Sequence, residues 1–181
     1  MTHSFLLPQQ VLSYFPIAEG MRVGECGVSG SGAMMTTLSE VVGPDGTVFA
    51  FDVNKNVLSA ISSEARLHAL TNIVPVWTDL EVVGGTTTVR DHQLDAALAL
   101  HLFHESTHHA EIFSELRRML KRGATLLVID WTKESTHPLA PKVSLRLAAG
   151  YCTQLAEQHG YHVTKEISPD NDHWGLLLTT T

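Results

Sequence analysis

The sequence predicts an α/β protein built on one doubly wound, mostly parallel sheet of seven strands. Short apolar segments alternate with segments of helical apolar spacing through most of the chain. The apolar segments are nearly continuous, which is typical of parallel strands that are buried on both faces. Two strand-like segments follow each other directly at the end of the chain, without a helical pattern between them. Alternation followed by a terminal strand pair is the pattern of an open α/β sheet.

The first half of the chain supplies three helices and three strands. Pro8 suits the first turn of a helix, where its missing N–H costs nothing, and a turn signal at 43–46 ends the second helix. Pro75 places the third strand at a sheet edge or at a bulge. The expected elements are a helix at 8–14, a strand at 23–26, a helix at 33–42, a strand at 47–51 ending in Asp52, a helix from about Asn54 and a strand at 72–77.

The second half begins with a loop at 81–93, which contains Gly84 and Gly85. The clearest helix of the chain is predicted at 107–122. Ser106 or Thr107 would cap it, Lys121 and Arg122 would complement its dipole, and Gly123 would end it. The other expected elements are a strand at 94–100, a strand at 124–130, a loop at 131–142, a helix at 147–159 ended by Gly160, and strands at 161–167 and 174–179.

Composition limits the classes of function. A chain of 181 residues fits one domain, 1–181, with residues 1–20 as a short N-terminal helical segment. The net charge is −7 with only 12 Lys and Arg, which argues against nucleic acid as a partner. The two Cys do not suggest a disulfide framework, and neither a membrane span nor a signal peptide is visible. These features predict a cytoplasmic protein.

The stretch from Arg22 to Gly32 is the main candidate for a ligand site. It predicts a buried strand that runs into glycines and opens a helix, so that backbone N–H groups and a helix N-terminus face one small volume. Glu25 lies at the strand end beside the same volume. A carboxylate there would repel a pyrophosphate, and the glycines at 27, 30 and 32 do not follow the dinucleotide pattern. An ammonium or sulfonium group would be attracted.

This stretch resembles motif I of the class I S-adenosylmethionine-dependent methyltransferases, which is acidic-x-Gly-x-Gly-x-Gly. In this chain one extra residue lies between Gly27 and Gly30. The order of elements over residues 8–179 is also similar to that family, whose sheet has an antiparallel last strand. The segments VGPDGTVFAFDV, FSELRRMLKRGATLLVIDW and LAEQHGYHV resemble its small-molecule branch, which includes quinone-biosynthesis and arsenite methyltransferases. Since two scattered Cys form no cluster for arsenite, that acceptor is disfavoured.

The resemblance implies S-adenosylmethionine as cofactor and a small molecule as methyl acceptor, and it leaves the methylated atom and homodimerisation open. An acid at the end of the second strand of such folds accepts hydrogen bonds from ribose hydroxyls, which assigns that role to Asp52. The family pattern places an acid at Asp79 near the adenine. His101 and His104 follow the fourth strand, where either could deprotonate a hydroxyl. The expected cofactor-binding residues are Glu25, Gly27, Gly30, Gly32, Asp52 and Asp79.

Three alternatives remain at this point. His104 to His108 is a literal HExxH, the zinc-hydrolase motif, but the predicted helix begins after His104 and the sequence shows no third ligand, so no metal is expected. Tyr161 and Lys165 have the spacing of a dehydrogenase pair but lie on a predicted strand, which disfavours a NAD-dependent oxidoreductase. The lengthened glycine loop favours a non-catalytic protein that keeps the fold and binds the cofactor or a partner.

Overall fold

The computed structural model describes residues 6–28 and 32–181, and these contain a seven-stranded sheet in the order β3-β2-β1-β4-β5-β7-β6. The strands β1 to β5 run parallel to one another, whereas β7 is antiparallel to both β5 and β6. The predicted α/β fold class and its antiparallel last strand are therefore confirmed. The predicted role of Gly30 and the first five residues of the N-terminal segment lie outside the described residues. The strands are β1 Arg22–Cys26, β2 Thr47–Asp52, β3 Ile73–Trp77, β4 Leu94–Leu100, β5 Leu120–Trp131, β6 Tyr161–Ile167 and β7 His173–Thr180.

The helices cover both faces of the sheet, because each has one apolar stripe to bury. Buried side chains of α1, α2 and α3 form one core with Val23, Ala50 and Ile129. Those of α4 and α5 form a second core on the opposite face, around Phe51 and Phe103. The helices are α1 Pro8–Leu12, α2 Ala33–Val42, α3 Lys55–Leu67, α4 His109–Met119 and α5 Ala149–Gln158, with 3-10 turns at Phe103–Glu105 and Val143–Leu145.

Pro75 lies on an edge strand, as its missing N–H requires. β3 is the first strand of the sheet and pairs only with β2 among the described residues. Residues 81–93 form the expected loop. The sequence therefore predicted correctly both the edge position of the strand that contains Pro75 and the loop that follows it.

The predicted end of the clearest helix, expected at 107–122, was wrong. α4 ends at Met119, and the chain continues as β5 from Leu120, which pairs with Leu94. The carbonyl groups of Arg118 and Met119 accept backbone N–H groups from residues 92 and 93, so the helix end needs no glycine cap. Gly123 has φ +72° within β5, where the register with β4 shifts, and does not end the helix.

The predicted start of α4 was also wrong. The residue before its first turn is His108, whose side chain makes no capping hydrogen bond. The Ser106 hydroxyl instead accepts the His108 backbone N–H at 2.8 Å. In α3, Asn54 is the cap and accepts the N–H of Asn56, so Asp52 is not required for that function.

Candidate active site

Two adjoining crevices lie at the carboxyl ends of the central strands. The first is lined by residues that include Gly27, Asp52, Asp79 and Glu105. The second is lined by Glu25, Gly27, Val28, Asp52, Leu100, His101 and Glu105. The strand order reverses between β1 and β4, and ligands of open α/β sheets bind beside such a reversal. The crevices therefore occupy the position that the topology favours for a ligand.

The glycine turn that follows β1 depends on left-handed backbone. Gly27 has φ +72°, and its N–H donates to the carbonyl of Phe51 at 3.0 Å. A Cβ at this position would lie 3.1 Å from Cδ1 of Leu102. Gly32 has φ +65° and precedes the first turn of α2. A side chain at either position would be strained, and at Gly27 it would also crowd the wall of the crevices.

Glu25 is a buried carboxyl group at the wall of the second crevice. The residue is 1% exposed, and its Oε2 atom has no hydrogen-bond partner among the described residues. Desolvation raises the pKa of Glu25 from 4.5 to about 8. An unpaired buried polar atom is costly unless a ligand satisfies it. A cationic or hydrogen-bond-donating group in the second crevice would remove that cost.

The two predicted acids beyond β2 and β3 have different surroundings. Asp52 is partly buried, lines both crevices and accepts the backbone N–H of Asn54 through Oδ1 at 2.6 Å. Asp79 is exposed, lines the first crevice and accepts the N–H of Glu81 at 2.9 Å. Both local turns fix the direction of the carboxylate.

His101 forms part of the wall of the second crevice. Its backbone has φ +57°, and its N–H donates to the carbonyl of Ile129 at 2.9 Å. Its ring packs against Trp131 and His173, with centroid distances of 4.8 Å to each. Nε2 is buried and has no partner among the described residues. Burial lowers the pKa of His101 to about 4, and neighbouring His173 adds to the effect, so the ring is neutral at pH 7.

His104 lies on the 3-10 turn after β4 and is held by Asp130. Its Nδ1 is 2.8 Å from Oδ1 of Asp130, and its backbone N–H donates to Oδ2 at 3.0 Å. Asp130 is fully buried and also accepts the N–H of Trp131. The sequence analysis did not identify Asp130, although its position at the end of β5, beside the end of β4, was a signal that could have found it.

The structure brings most of the predicted site residues together. Glu25, Gly27, Asp52 and His101 line one crevice, and Asp79 lines the crevice beside it. Gly32 and His104 are not among the described residues that line either one. His104 does contact a residue of the rim: its Nε2 is 3.9 Å from Oε1 of Glu105. Glu105 lines both crevices and was not predicted.

Comparison with known proteins identifies the family. The sequence model of a family described as "Methyltransferase domain" matches residues 25–128, which is more than half of the chain. The chain belongs to this methyltransferase family. The match begins at Glu25 and ends inside β5, so it includes the glycine turn and the ends of β1, β2 and β4. A comparison with curated proteins found no match.

Solved structures support the assignment of this chain to the methyltransferases. A SAM-dependent methyltransferase from Aquifex aeolicus is 25% identical, with a TM-score of 0.86, and the alignment covers 96% of this chain and 89% of that one. A TehB-like SAM-dependent methyltransferase from Corynebacterium glutamicum is 10% identical, with a TM-score of 0.74 and coverages of 99% and 90%. Geranyl diphosphate C-methyltransferase from Streptomyces coelicolor A3(2), solved with S-adenosyl-L-homocysteine, is 11% identical, with a TM-score of 0.77 and coverages of 96% and 79%. At these lower identities the likeness is one of fold.

The residues around the crevices fit S-adenosylmethionine, the cofactor of this methyltransferase. Gly27 and Gly32 present backbone without a Cβ atom, and the Glu25 oxygen that has no partner in the described part of the chain is complementary to a group that donates hydrogen bonds and carries positive charge. Asp52 adds a second carboxylate at the same crevice. A pyrophosphate would instead face two acids, which disfavours a dinucleotide.

The two motif-based alternatives find no support in the site geometry. In the HExxH segment, Nδ1 of His104 contacts Asp130, whereas Nδ1 of His108 contacts Glu81 at 2.7 Å. Within residues 6–28 and 32–181 no group of three His, Cys, Asp or Glu side chains is arranged to hold a metal ion. Tyr161 is buried and donates its hydroxyl hydrogen to the carbonyl of Phe113. In the described part of the chain, no helix has both the length and the apolar character needed to cross a membrane.

Proposed function

We propose that this methyltransferase acts on a small molecule, with the cofactor across the glycine turn and the acceptor beside the ends of β4 and β5. Glu25 and the backbone at Gly27 and Gly32 would hold the methionine part of the cofactor. Asp52 would bind the ribose, and Asp79 would lie near the adenine. When bound, the cofactor supplies a methyl group on a positively charged sulfur, which leaves as a neutral thioether.

The observation that carries this proposal is Oε2 of Glu25, which is buried and has no hydrogen-bond partner within the residues that the structure describes. A buried carboxyl oxygen that finds no partner among residues 6–28 and 32–181 costs stability, so its retention at the wall of a crevice favours a ligand-binding role. Asp52 lines the same crevice from the neighbouring strand. Two acids in one crevice favour a ligand that has both a cationic group and adjacent hydroxyl groups.

The surroundings of the crevice also support a small acceptor. His101 lines the second crevice, and its ring stacks on Trp131 with a centroid distance of 4.8 Å at the ends of β4 and β5. The chain has a net charge of −7, which disfavours a polyanionic acceptor such as nucleic acid. A compact, weakly charged acceptor that packs against aromatic rings is consistent with both features.

Calorimetry tests the cofactor site directly. Titration of S-adenosylmethionine and S-adenosylhomocysteine into the wild-type protein should give saturable binding. Asp52→Asn should weaken it by about 1–3 kcal/mol, because one oxygen that accepts from a hydroxyl becomes a donor. Asp45→Asn is the matched control, since it removes the same charge from an exposed turn residue. Equal affinity in all three proteins would exclude Asp52 from the site.

Turnover separates a methyltransferase from a non-catalytic protein that only binds the cofactor. The residue inserted between Gly27 and Gly30 is the feature that favours the non-catalytic alternative. The wild-type protein is incubated with labelled S-adenosylmethionine and a panel of phenols, quinols and amines. Label transferred to any of them supports the proposal, whereas saturable binding with no transfer to any acceptor favours the alternative.

A further inference from the structure

The carboxylate of Asp130 fixes the orientation of one imidazole near the crevices. Asp130 is fully buried, and its two oxygens accept the backbone N–H groups of His104 and Trp131. Oδ1 also lies 2.8 Å from Nδ1 of His104. The backbone donors hold the carboxylate in place, so the ring must orient itself toward a fixed acceptor.

This contact determines which ring nitrogen of His104 carries the hydrogen. An ionised carboxylate can only accept hydrogen bonds, so Nδ1 must be the donor. The hydrogen of a neutral imidazole is then on Nδ1, and the lone pair is on Nε2. A carboxylate that holds an imidazole in this tautomer also stabilises the imidazolium that forms when Nε2 takes a proton.

The basic nitrogen of His104 lies beside a residue of the crevice rim. Nε2 lies 3.9 Å from Oε1 of Glu105, which lines both crevices. The His104 side chain is 11% exposed, so part of its ring is open to solvent beside the rim. The ring centroid is 6.3 Å from that of His101, which forms the crevice wall.

His101 is less suited to accept a proton. Trp131 and His173 cover its ring, and burial lowers its pKa to about 4, so it is a weak base at pH 7. His173 has a carboxylate partner of its own, Asp170, at 2.8 Å, but its side chain is only 2% exposed. Of these three imidazoles, His104 combines a carboxylate partner with access from the rim.

We infer that His104 accepts a proton from an acidic hydroxyl group of the methyl acceptor, such as a phenol or an enol, and that Asp130 is the residue that positions it. In this step the O–H bond breaks and its electron pair stays on the oxygen. The proton bonds to Nε2, and the negative charge of Asp130 offsets the imidazolium. After product release the proton passes to water. The inference rests on the proposed methyltransferase function.

The tautomer of His104 can be measured without cofactor or acceptor. Long-range ¹H–¹⁵N correlation spectra of the labelled full chain report which ring nitrogen is protonated, and His104→Gln assigns the signal. We expect the hydrogen on Nδ1 in the wild-type protein and loss of this preference in Asp130→Asn. A wild-type hydrogen on Nε2, or an unchanged tautomer in Asp130→Asn, would overturn the inference.

Phenols of graded acidity provide the second readout. For phenols that are protonated at the assay pH, His104→Gln should lower kcat by about 10²–10⁴-fold. For phenols that are already ionised, the loss should nearly vanish, because no proton has to be moved. Asp130→Asn should show the same dependence on acceptor acidity, with a larger effect on kcat than on KM. A loss that does not vary with acidity would indicate a structural role and overturn the inference.

Asp170→Asn is the matched control, because it removes the carboxylate from the other His–Asp pair at the same distance. It should leave both the His104 tautomer and the dependence on acceptor acidity unchanged. Calorimetry with S-adenosylmethionine distinguishes failure of the proposed function from failure of the inference about His104. Absence of cofactor binding contradicts the proposed function. Cofactor binding with methylation of amines or thiols, but of no phenol, contradicts only the present inference.

Discussion

Glu25→Gln should make the stability of the protein less dependent on pH. Desolvation raises the pKa of Glu25 from 4.5 to about 8 in the folded chain, whereas the unfolded chain keeps the ordinary value. Between these two values the folded state binds more protons than the unfolded state. The contribution of Glu25 to the free energy of unfolding is therefore fully present below pH 4.5 and is lost as the pH rises through about 8.

The size of the effect follows from the same two values. One pH unit corresponds to about 1.4 kcal/mol, so the rise to about 8 corresponds to about 5 kcal/mol above that pH and to about 3 kcal/mol at pH 7. These are upper limits, because water that enters the crevice stabilises the carboxylate. Gln has nearly the same shape and no ionisable group, so its own burial cost does not change with pH.

Urea unfolding followed by tryptophan fluorescence measures the difference, from about pH 5 to about pH 9. The free energy of unfolding should fall with pH more steeply for the wild-type protein than for Glu25→Gln. Glu157→Gln, at an exposed position on α5, should follow the wild-type curve. Parallel curves for wild type and Glu25→Gln would refute the reasoning, since they would mean that the Glu25 carboxyl group is not desolvated.

Two further substitutions test the structure around the site. Gly27→Ala should destabilise the protein by about 1–3 kcal/mol, since it adds a left-handed alanine and a 3.1 Å contact with a neighbouring leucine. Gly20→Ala has the same backbone strain but no atom within 4 Å of the new Cβ, so urea unfolding should give it the smaller loss. Glu115→Gln should cost about 3 kcal/mol, because Glu115 is fully buried and contacts Arg118 at 2.7 Å. Asp91→Asn, at the exposed partner of the same arginine, should cost less than about 1 kcal/mol, and similar losses for the two would contradict this account.

The sequence was sufficient for the fold because the strands are buried on both faces. Runs such as Thr47–Asp52 and Leu94–Leu100 must be almost wholly apolar to lie between two layers of helices, so their limits are visible as changes in composition. The end of α4 was not visible in this way. It depends on backbone N–H groups of residues 92 and 93, which come from a loop far along the chain from Met119.

Site residues that directly follow a strand could be predicted from the sequence. Contacts between residues of two strands could not, because they depend on how the strands are aligned in the sheet. The positions of Glu25, Asp52 and His101 could be inferred because parallel strands carry their carboxyl ends to the same edge. Asp130 could not be assigned to His104 from the sequence, since their contact depends on the register of β4 with β5. The sequence also could not show that His101, and not His104, packs against Trp131, because this contact forms only in the folded chain.

The reversal of strand order explains why ionisable groups at this edge have such different properties. β1 lies between β2 and β4, and the following connections lead to opposite sides of the sheet. Residues that are far apart in sequence therefore meet at the carboxyl ends of these strands. Burial at this point makes Glu25 harder to ionise and His101 harder to protonate, so both groups tend to be neutral in the free protein. His104 lies one turn further along the chain, at the rim, and has a carboxylate partner. Groups whose environments oppose each other in this way can divide ligand binding and proton transfer between them. A cationic group beside Glu25 would favour the ionised form of that carboxyl group and lower its pKa, whereas His104 contacts a different carboxylate, that of Asp130.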